Sequence, residues 1–291
     1  MPGEPDPDRG EGPRETPAVL AEILEHKRLE VERLKFERSM AELEAEVAQA
    51  EPPRNFFRAV TRQDSSGTSI IAEVKRKSPS AGWMRSEYEG DGFQPEQVAA
   101  AYHRAGASAI SCLTDERFFG GHLSYIQRIK DVVRLPVLRK DFIIHPIQLW
   151  ESRAAGADAV LLIAEALDLA LLVDMLILAQ QLQLTVLVEV HSAENLLRVR
   201  PHIGFPHPTY CLLGINNRDL KTMTTDLAHT TRLVDMVEDT SVLVSESGIR
   251  TPSDLDRLRE VGVRIALVGE HLMRQPSPGE ALAELLARRP D

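Results

Sequence analysis

The sequence has few aromatic residues: Phe, Trp and Tyr make up 5% of its 291 residues. A core must therefore be built from Val, Ile, Leu and Ala, the usual filling of parallel sheets and barrels. It has only two cysteines, Cys112 and Cys211. Neither has a CxxC neighbour or a histidine at metal-ligand spacing. Both read as small buried hydrophobes in strands, which suits a reducing cytoplasm. No apolar run is long and clean enough to span a bilayer. The longest, near 159–167 and 169–179, are interrupted by Glu165, Asp168 and Asp174. There is no basic block and no interleaving of basic and aromatic residues, which argues against a nucleic-acid surface. The leading MPGEPDPDRGEGPRE is acidic and rich in Pro and Gly, the opposite of a signal peptide. The expectation is a cytoplasmic protein with no membrane or nucleic-acid partner, working as a monomer or weak homo-oligomer.

What is present supports a large folded domain. Hydrophobic residues make up 43% and charged residues 27%, enough apolar material for a core and too much for global disorder. The net charge is −10, unevenly spread. Residues 1–53 hold fourteen Asp/Glu against seven Lys/Arg, a balance of −7, which leaves −3 for the rest. The main domain is thus free to accept an anionic ligand.

Along the chain, residues 1–16 read as a disordered acidic tail and 17–53 as a helical extension. In the extension, Leu20, Leu24, Val31 and Leu34 fall near one helical face, and Phe36, Met40, Leu43 and Val47 continue the spacing. This is either a solvated helix or helix pair, or a helical flap over one end of the next domain. Pro52 and Pro53 close it. Over 54–291, short β-branched runs alternate with helical patterns. Eight strands are expected, at 69–75, 109–113, 136–139, 159–163, 185–190, 210–215, 242–245 and 265–268. Three are preceded by turns containing Gly (AGASAI, AGADAV, VGVRIA), which end the preceding helices. Eight successive βα units with near-continuous apolar strands point to an α/β fold, a closed (β/α)8 TIM barrel. A doubly wound open sheet is the competing fold. It would need fewer strands, and no GxGxxG follows the first one.

In such a barrel the C-terminal strand ends build the site. The first strand ends with Glu73 and Lys75, placed on one side by period-two alternation. The third ends at Lys140, the fifth at Glu189, the sixth at Asn216 and Arg218, the seventh at Glu246, Ser247 and Gly248, and the eighth at Gly269 and Glu270. A single charge at a strand end is ordinary solvation or a structural ion pair. Several aimed at one mouth are costly unless paired or used, and lysines beside glutamates can tune one another for acid–base work. Small residues after strands seven and eight allow backbone N–H groups to approach a phosphate. His122, His145, His191 and His271 lack paired metal spacing and read as structural or exposed.

At these residues a resemblance becomes specific. IAEVKRKSPSAG resembles the first-strand motif of the indole-3-glycerol phosphate synthase family. LTDERFFGGHLSYI, VLRKDFII, ADAVLLIA, LVEVHS, GINNRDL, SESGI and LVGEHLMR resemble its later segments, in its order. AEILEHKRLEVERLK is similar to its leading helix. The resemblance implies conversion of 1-(2-carboxyphenylamino)-1-deoxyribulose 5-phosphate to indole-3-glycerol phosphate in tryptophan biosynthesis, with loss of carbon dioxide and water and without metal or organic cofactor. It implies Lys140 as general acid, Lys75 and Glu73 as the acid and base of dehydration, and Glu189 as a group that orients or stabilises the developing cationic nitrogen. The division of steps between the two lysines stays open. It places Asn216 and Arg218 on the substrate carboxylate and sugar hydroxyls, Ser78 and Ser247 as hydrogen-bonding groups, and Gly248 and Gly269 at the phosphate. Phe118, with Phe119 as the alternative, would stack on the aromatic ring.

Two features depart from the pattern. Glu270 stands where some relatives place a small hydroxylic residue, so it would repel a phosphate unless turned away. The segment SEYEGDGFQP after Trp83 is long and is expected to extend a flexible flap. Two other functions compete. A phosphoribosylanthranilate isomerase would favour a Cys/Asp pair over Lys and Glu. A silent scaffold docking through its acidic extension would not need the four charged residues.

Overall fold

The structure, a computed structural model, describes residues 17–62, 67–90 and 92–287; the expected tail over 1–16 lies outside them. Eight parallel strands form a closed barrel: β1 (Ser69–Val74), β2 (Ala109–Leu113), β3 (Val137–Lys140), β4 (Ala159–Ile163), β5 (Thr185–Val190), β6 (Cys211–Asn216), β7 (Leu243–Glu246) and β8 (Ile265–Val268). Each pairs with its sequence neighbours, and β1 closes the ring on β8 with Ser69 opposite Ile265 and Ala72 opposite Val268. The open-sheet alternative is excluded, because both edges are paired. The expected ends shift by one residue on four strands. The ladder reaches Lys140, Asn216 and Glu246, and stops before Lys75.

Alternation along these strands sorts the core into two layers. Ile71, Ala109, Leu138, Leu161, Leu187, Leu212, Val244 and Leu267 fill the barrel interior. Their neighbours, such as Ala72, Ile110, Val188 and Leu213, pack outward against the helices. The helices are α4 (Pro95–Arg104), α5 (Tyr125–Val132), α6 (Pro146–Ala154), α7 (Leu169–Gln181), α8 (Ala193–Val199), α9 (Ala228–Leu233), α10 (Pro252–Glu260), the one-turn α11 (Glu270–Met273) and α12 (Pro278–Leu286). Proline opens four of them, where its missing N–H is not needed. Gly106, Gly156 and Gly262 take positive φ in the three expected αβ turns. No helix among the described residues is long and apolar enough to cross a membrane.

Before the barrel stand α1 (Ala18–Glu37), α2 (Met40–Gln49) and α3 (Phe56–Thr61). The apolar spacing that runs on past residue 34 does not make one helix. Ser39 caps α2 and closes a capping box with Glu42, and Phe36 is 92% exposed. α1 buries Leu20, Ile23, Leu24, Lys27 and Val31, one face at helical spacing. Leu43 of α2 packs with Val31 and with Ile147 of α6. The short α3 inserts Phe56 and Val60 into the interior layer and so closes the barrel floor, leaving the opposite end as the open mouth.

Candidate functional site

The interior layer ends where the chemistry begins. Two residues beyond Ile71, Leu138, Leu187 and Val244 on the same inward face stand Glu73, Lys140, Glu189 and Glu246. They line a cavity of about 510 Å3 at the strand C-termini, together with Lys75, Ser78, Asn216, Arg218, Ser247, Gly248 and Gly269. Of the residues expected at the site, the structure brings all but one into this cavity. The exception is Phe118. Its ring sits edge-on to His26 of α1, with centroids 5.9 Å apart, and beneath the Arg117 guanidinium. Phe119 takes the lining position instead, near Phe142 at 5.9 Å. Backbone N–H groups of both Phe118 and Phe119 donate to Asp115, and the tight turn so formed sends the two rings in different directions.

The lysines are paired. Lys75 Nζ lies 2.7 Å from Glu73 Oε1, and Lys140 Nζ lies 2.9 Å from Glu189 Oε2 and 3.5 Å from Glu246 Oε2. Burial alone would discharge Lys140, but Glu189, Glu246 and Glu73 outweigh it and raise its pKa well above the ordinary value. Burial also opposes a charged Glu189, and the cations Lys140 and His191 outweigh it, holding this carboxyl below its usual range. Glu246 goes the other way. Burial first, and then the negative Glu189 beside it, push its pKa well up, so of the two carboxyls Glu246 is the one more readily protonated. Its side chain lies over Gly214, where a Cβ would come within 2.2 Å of Oε1. Glu73 is accommodated in the same way by Gly269, where a Cβ would meet Oε1 at 2.2 Å. Gly269 thus has a second reason to be glycine beyond the expected phosphate contact. Glu246 was visible as a strand end but was not singled out. Its position two residues past Val244 is the signal that would have found it.

The loop after β7 also lines the cavity. Ser247 and Gly248 have φ of +68° and +84°, two successive residues in the left-handed region. Asn217 holds this turn: buried, it donates to Ser247 O and Ser245 Oγ at 3.0 Å and accepts from Thr230. Arg250 and Arg274 also line the cavity. Glu270 does not stand free, since it is bound to Arg218 at 2.8 Å and Arg274 at 3.2 Å. Arg218 also reaches Ser80 Oγ at 3.3 Å, and Asn216 Oδ1 accepts the Arg218 N–H at 3.0 Å. Leu113, Leu161, Ile163, Phe119 and Phe142 give the cavity an apolar lining, joined by Leu20 and Ile23 of α1.

α1 is fixed to the mouth by a buried cation that sequence reading missed. Lys27 Nζ lies 2.9 Å from Asp115 Oδ2 and 2.8 Å from Asp141 Oδ1. A lysine among Leu24, Val31 and their like gives no sign of its partners, which come from loops far along the chain. The segment after Trp83 is likewise tied down. Arg76 donates to the carbonyls of Tyr88 and Gly90, and Arg85 to those of Gln275 and Pro276. Among the described residues no group of three His, Cys, Asp or Glu side chains is placed to hold a metal ion.

A closed (β/α)8 barrel with two lysine–carboxylate pairs in one cavity at the C-terminal ends of its strands has the layout of a barrel enzyme. Comparison with known proteins gives the family. The family model for indole-3-glycerol phosphate synthase matches residues 20–285. The chain is 45% identical over 269 residues to indole-3-glycerol phosphate synthase of Rhodospirillum rubrum, covering 92% of this chain and 98% of that protein. It is 42% identical over 268 residues to that of Bacteroides thetaiotaomicron, covering 92% and 97%. Among solved structures, 3-hexulose-6-phosphate synthase from Salmonella typhimurium superposes with a TM-score of 0.58 at 12% identity, over 75% of this chain and 96% of that one, a likeness of fold alone. The chain belongs to the indole-3-glycerol phosphate synthase family.

Proposed function

We propose that this protein converts 1-(2-carboxyphenylamino)-1-deoxyribulose 5-phosphate to indole-3-glycerol phosphate, carbon dioxide and water. The observation that carries this reading is the sharing of one cavity by two lysine–carboxylate pairs. The aromatic ring rests against the apolar lining, and the phosphate on the N–H groups of Ser247, Gly248 and Gly269. Arg218 and Asn216 hold the carboxylate and sugar hydroxyls, a task suited to a guanidinium, and Ser78 adds a hydrogen bond.

When the ring carbon attacks the ketone, an alkoxide develops and needs a proton. Lys140 is a protonated ammonium, and an alkoxide is a stronger base than an amine, so transfer runs downhill. Glu189, charged, stabilises the cationic nitrogen that forms as the ring closes. Loss of carbon dioxide leaves its electron pair in the ring system. Loss of the hydroxyl as water then needs an acid and a base, which Lys75 and Glu73 supply. The substrate is a small molecule, and the two buried free cysteines fit a reducing, cytoplasmic setting.

The test is direct. Purified protein incubated with the substrate, without added metal or cofactor, is expected to give rising indole fluorescence. No signal at high enzyme concentration defeats the reading.

A further inference from the structure

His191 belongs to no metal-holding group among the described residues and has no place in the steps above, yet its surroundings are built. It follows Glu189 by two residues at the end of β5 and lines the same cavity, with a side chain only 8% exposed. Glu165, on the turn after β4, grips it twice: Oε1 accepts the His191 backbone N–H at 2.9 Å, and Oε2 faces ring Nδ1 at 3.2 Å. The other ring nitrogen, Nε2, stands 3.3 Å from Glu189 Oε1, within ion-pair range though not aligned as a hydrogen bond. Glu189 offers its second oxygen to Lys140. A carboxylate with a cation at each oxygen cannot turn without losing one of them.

Chemistry sets the state of the ring. A neutral imidazole has one N–H, so one nitrogen would turn a lone pair on a carboxylate; a ring protonated on both nitrogens satisfies Glu165 and Glu189 together. Burial opposes that charge, and the two carboxylates outweigh it, raising the pKa of His191. The remaining groups that face it are Lys140 of β3 and Asp219 after β6, by charge, and His229 of α9, whose Nε2 lies 3.1 Å from the His191 carbonyl.

We propose that His191 is a positioning residue for ring closure: clamped by Glu165, it holds the Glu189 carboxylate in the orientation that keeps one oxygen on Lys140. The role rests on the function proposed above. Outer supports of a working group commonly command on the order of 10–100-fold in activity. His191→Phe, which removes both donors, is therefore expected to lower kcat about 10–100-fold with KM within about twofold, because Glu189 acts as charge develops. His191→Gln keeps one donor toward Glu189 and is expected to recover most of that loss. Glu165→Gln loosens the grip without touching the ring and is expected to fall between. Imidazole nitrogen NMR of the unaltered protein is expected to show both His191 ring nitrogens protonated at neutral pH.

Wild-type kcat in His191→Phe, a loss confined to KM, or a single protonated ring nitrogen at neutral pH overturns the role alone. Absence of turnover in the unaltered protein overturns the reading of the site and the role with it. The NMR result needs neither turnover nor a variant that folds.

Discussion

Two ionic clusters meet back to back at the end of β3, and they are built on opposite plans. Lys140 points into the mouth; Asp141, the next residue, points out toward α1. Asp141 accepts from four directions: Thr114 Oγ1 at 2.6 Å, Lys27 at 2.8 Å, the Phe142 N–H at 2.8 Å and Arg139 at 3.1 Å. Arg139 is in turn satisfied by Glu151 and Ser152. Inside the mouth, Glu246 is just as buried but accepts no hydrogen bond at either oxygen; it has Lys140 at 3.5 Å and the Glu189 carboxyl, which its raised pKa lets it meet as a hydrogen-bond donor. A carboxylate as fully satisfied as Asp141 fixes geometry. One with fewer partners, like Glu246, has capacity left for a ligand.

The sharpest way to break this contrast is to remove the mouth's central cation. Lys140→Met should lower kcat by on the order of 10³-fold, within the range general acids supply, while thermal unfolding still shows a cooperative transition. Near-normal turnover would show that the mouth cluster is structural after all. The matching cut in the other cluster is Lys27→Met. Two buried aspartates then lose their shared cation, and stability should drop by about 3–5 kcal/mol in denaturant titration. The kcat of the folded fraction should stay nearly unchanged, and KM should rise as α1 releases the lining made by Leu20 and Ile23.

Acid sharpens the same comparison. Burial would raise the pKa of Asp141, but Lys27 and Arg139 outweigh it and hold it below the ordinary 3.8. Its contribution is therefore complete above that ordinary value and is lost as pH falls through the lowered native one. The stability gap between the unaltered protein and Lys27→Met should close as pH is taken from the ordinary 3.8 downward, by at most about 1.4 kcal/mol per pH unit. A gap that stays constant would place the clamp's energy elsewhere. The smallest effect is expected at Glu246→Gln. The neutral side chain matches the protonation state already favoured there, so stability should hold or rise by about 1 kcal/mol, whereas Asp141→Asn should lose stability.

How far the sequence could be read follows from the same contrast. The eight strands were legible because apolar β-branched runs between helical patterns have few other uses. Three of the slips fell at Lys140, Asn216 and Glu246, where a charged or amide side chain looks like the start of a loop although the ladder continues through it, with Asn216 opposite Glu246. The break between α1 and α2 was marked by Ser39 and Glu42 at capping-box spacing and was hidden by apolar residues that kept the helical period. α11, at four residues, is too short for any period to show. Glu73, Lys75, Lys140 and Glu189 could be placed at one mouth because alternation along a strand is local. Lys27 with Asp115 and Asp141, and His191 with Glu165, could not be placed, because what decides them is which distant loops meet.

The pairing of β1 with β8 has a consequence for how the protein comes into being. Glu73 and Lys75 leave the ribosome early, but the glycine that makes room for Glu73 directly follows the last strand, and β1 has only one strand neighbour until that strand arrives. Contacts so far apart in sequence form late. The chain therefore carries half of its site through most of its synthesis with the barrel unsealed. Sealing the barrel and completing the acid–base pair at its mouth are one event, so a nascent chain gains its chemistry only when its last strand has docked.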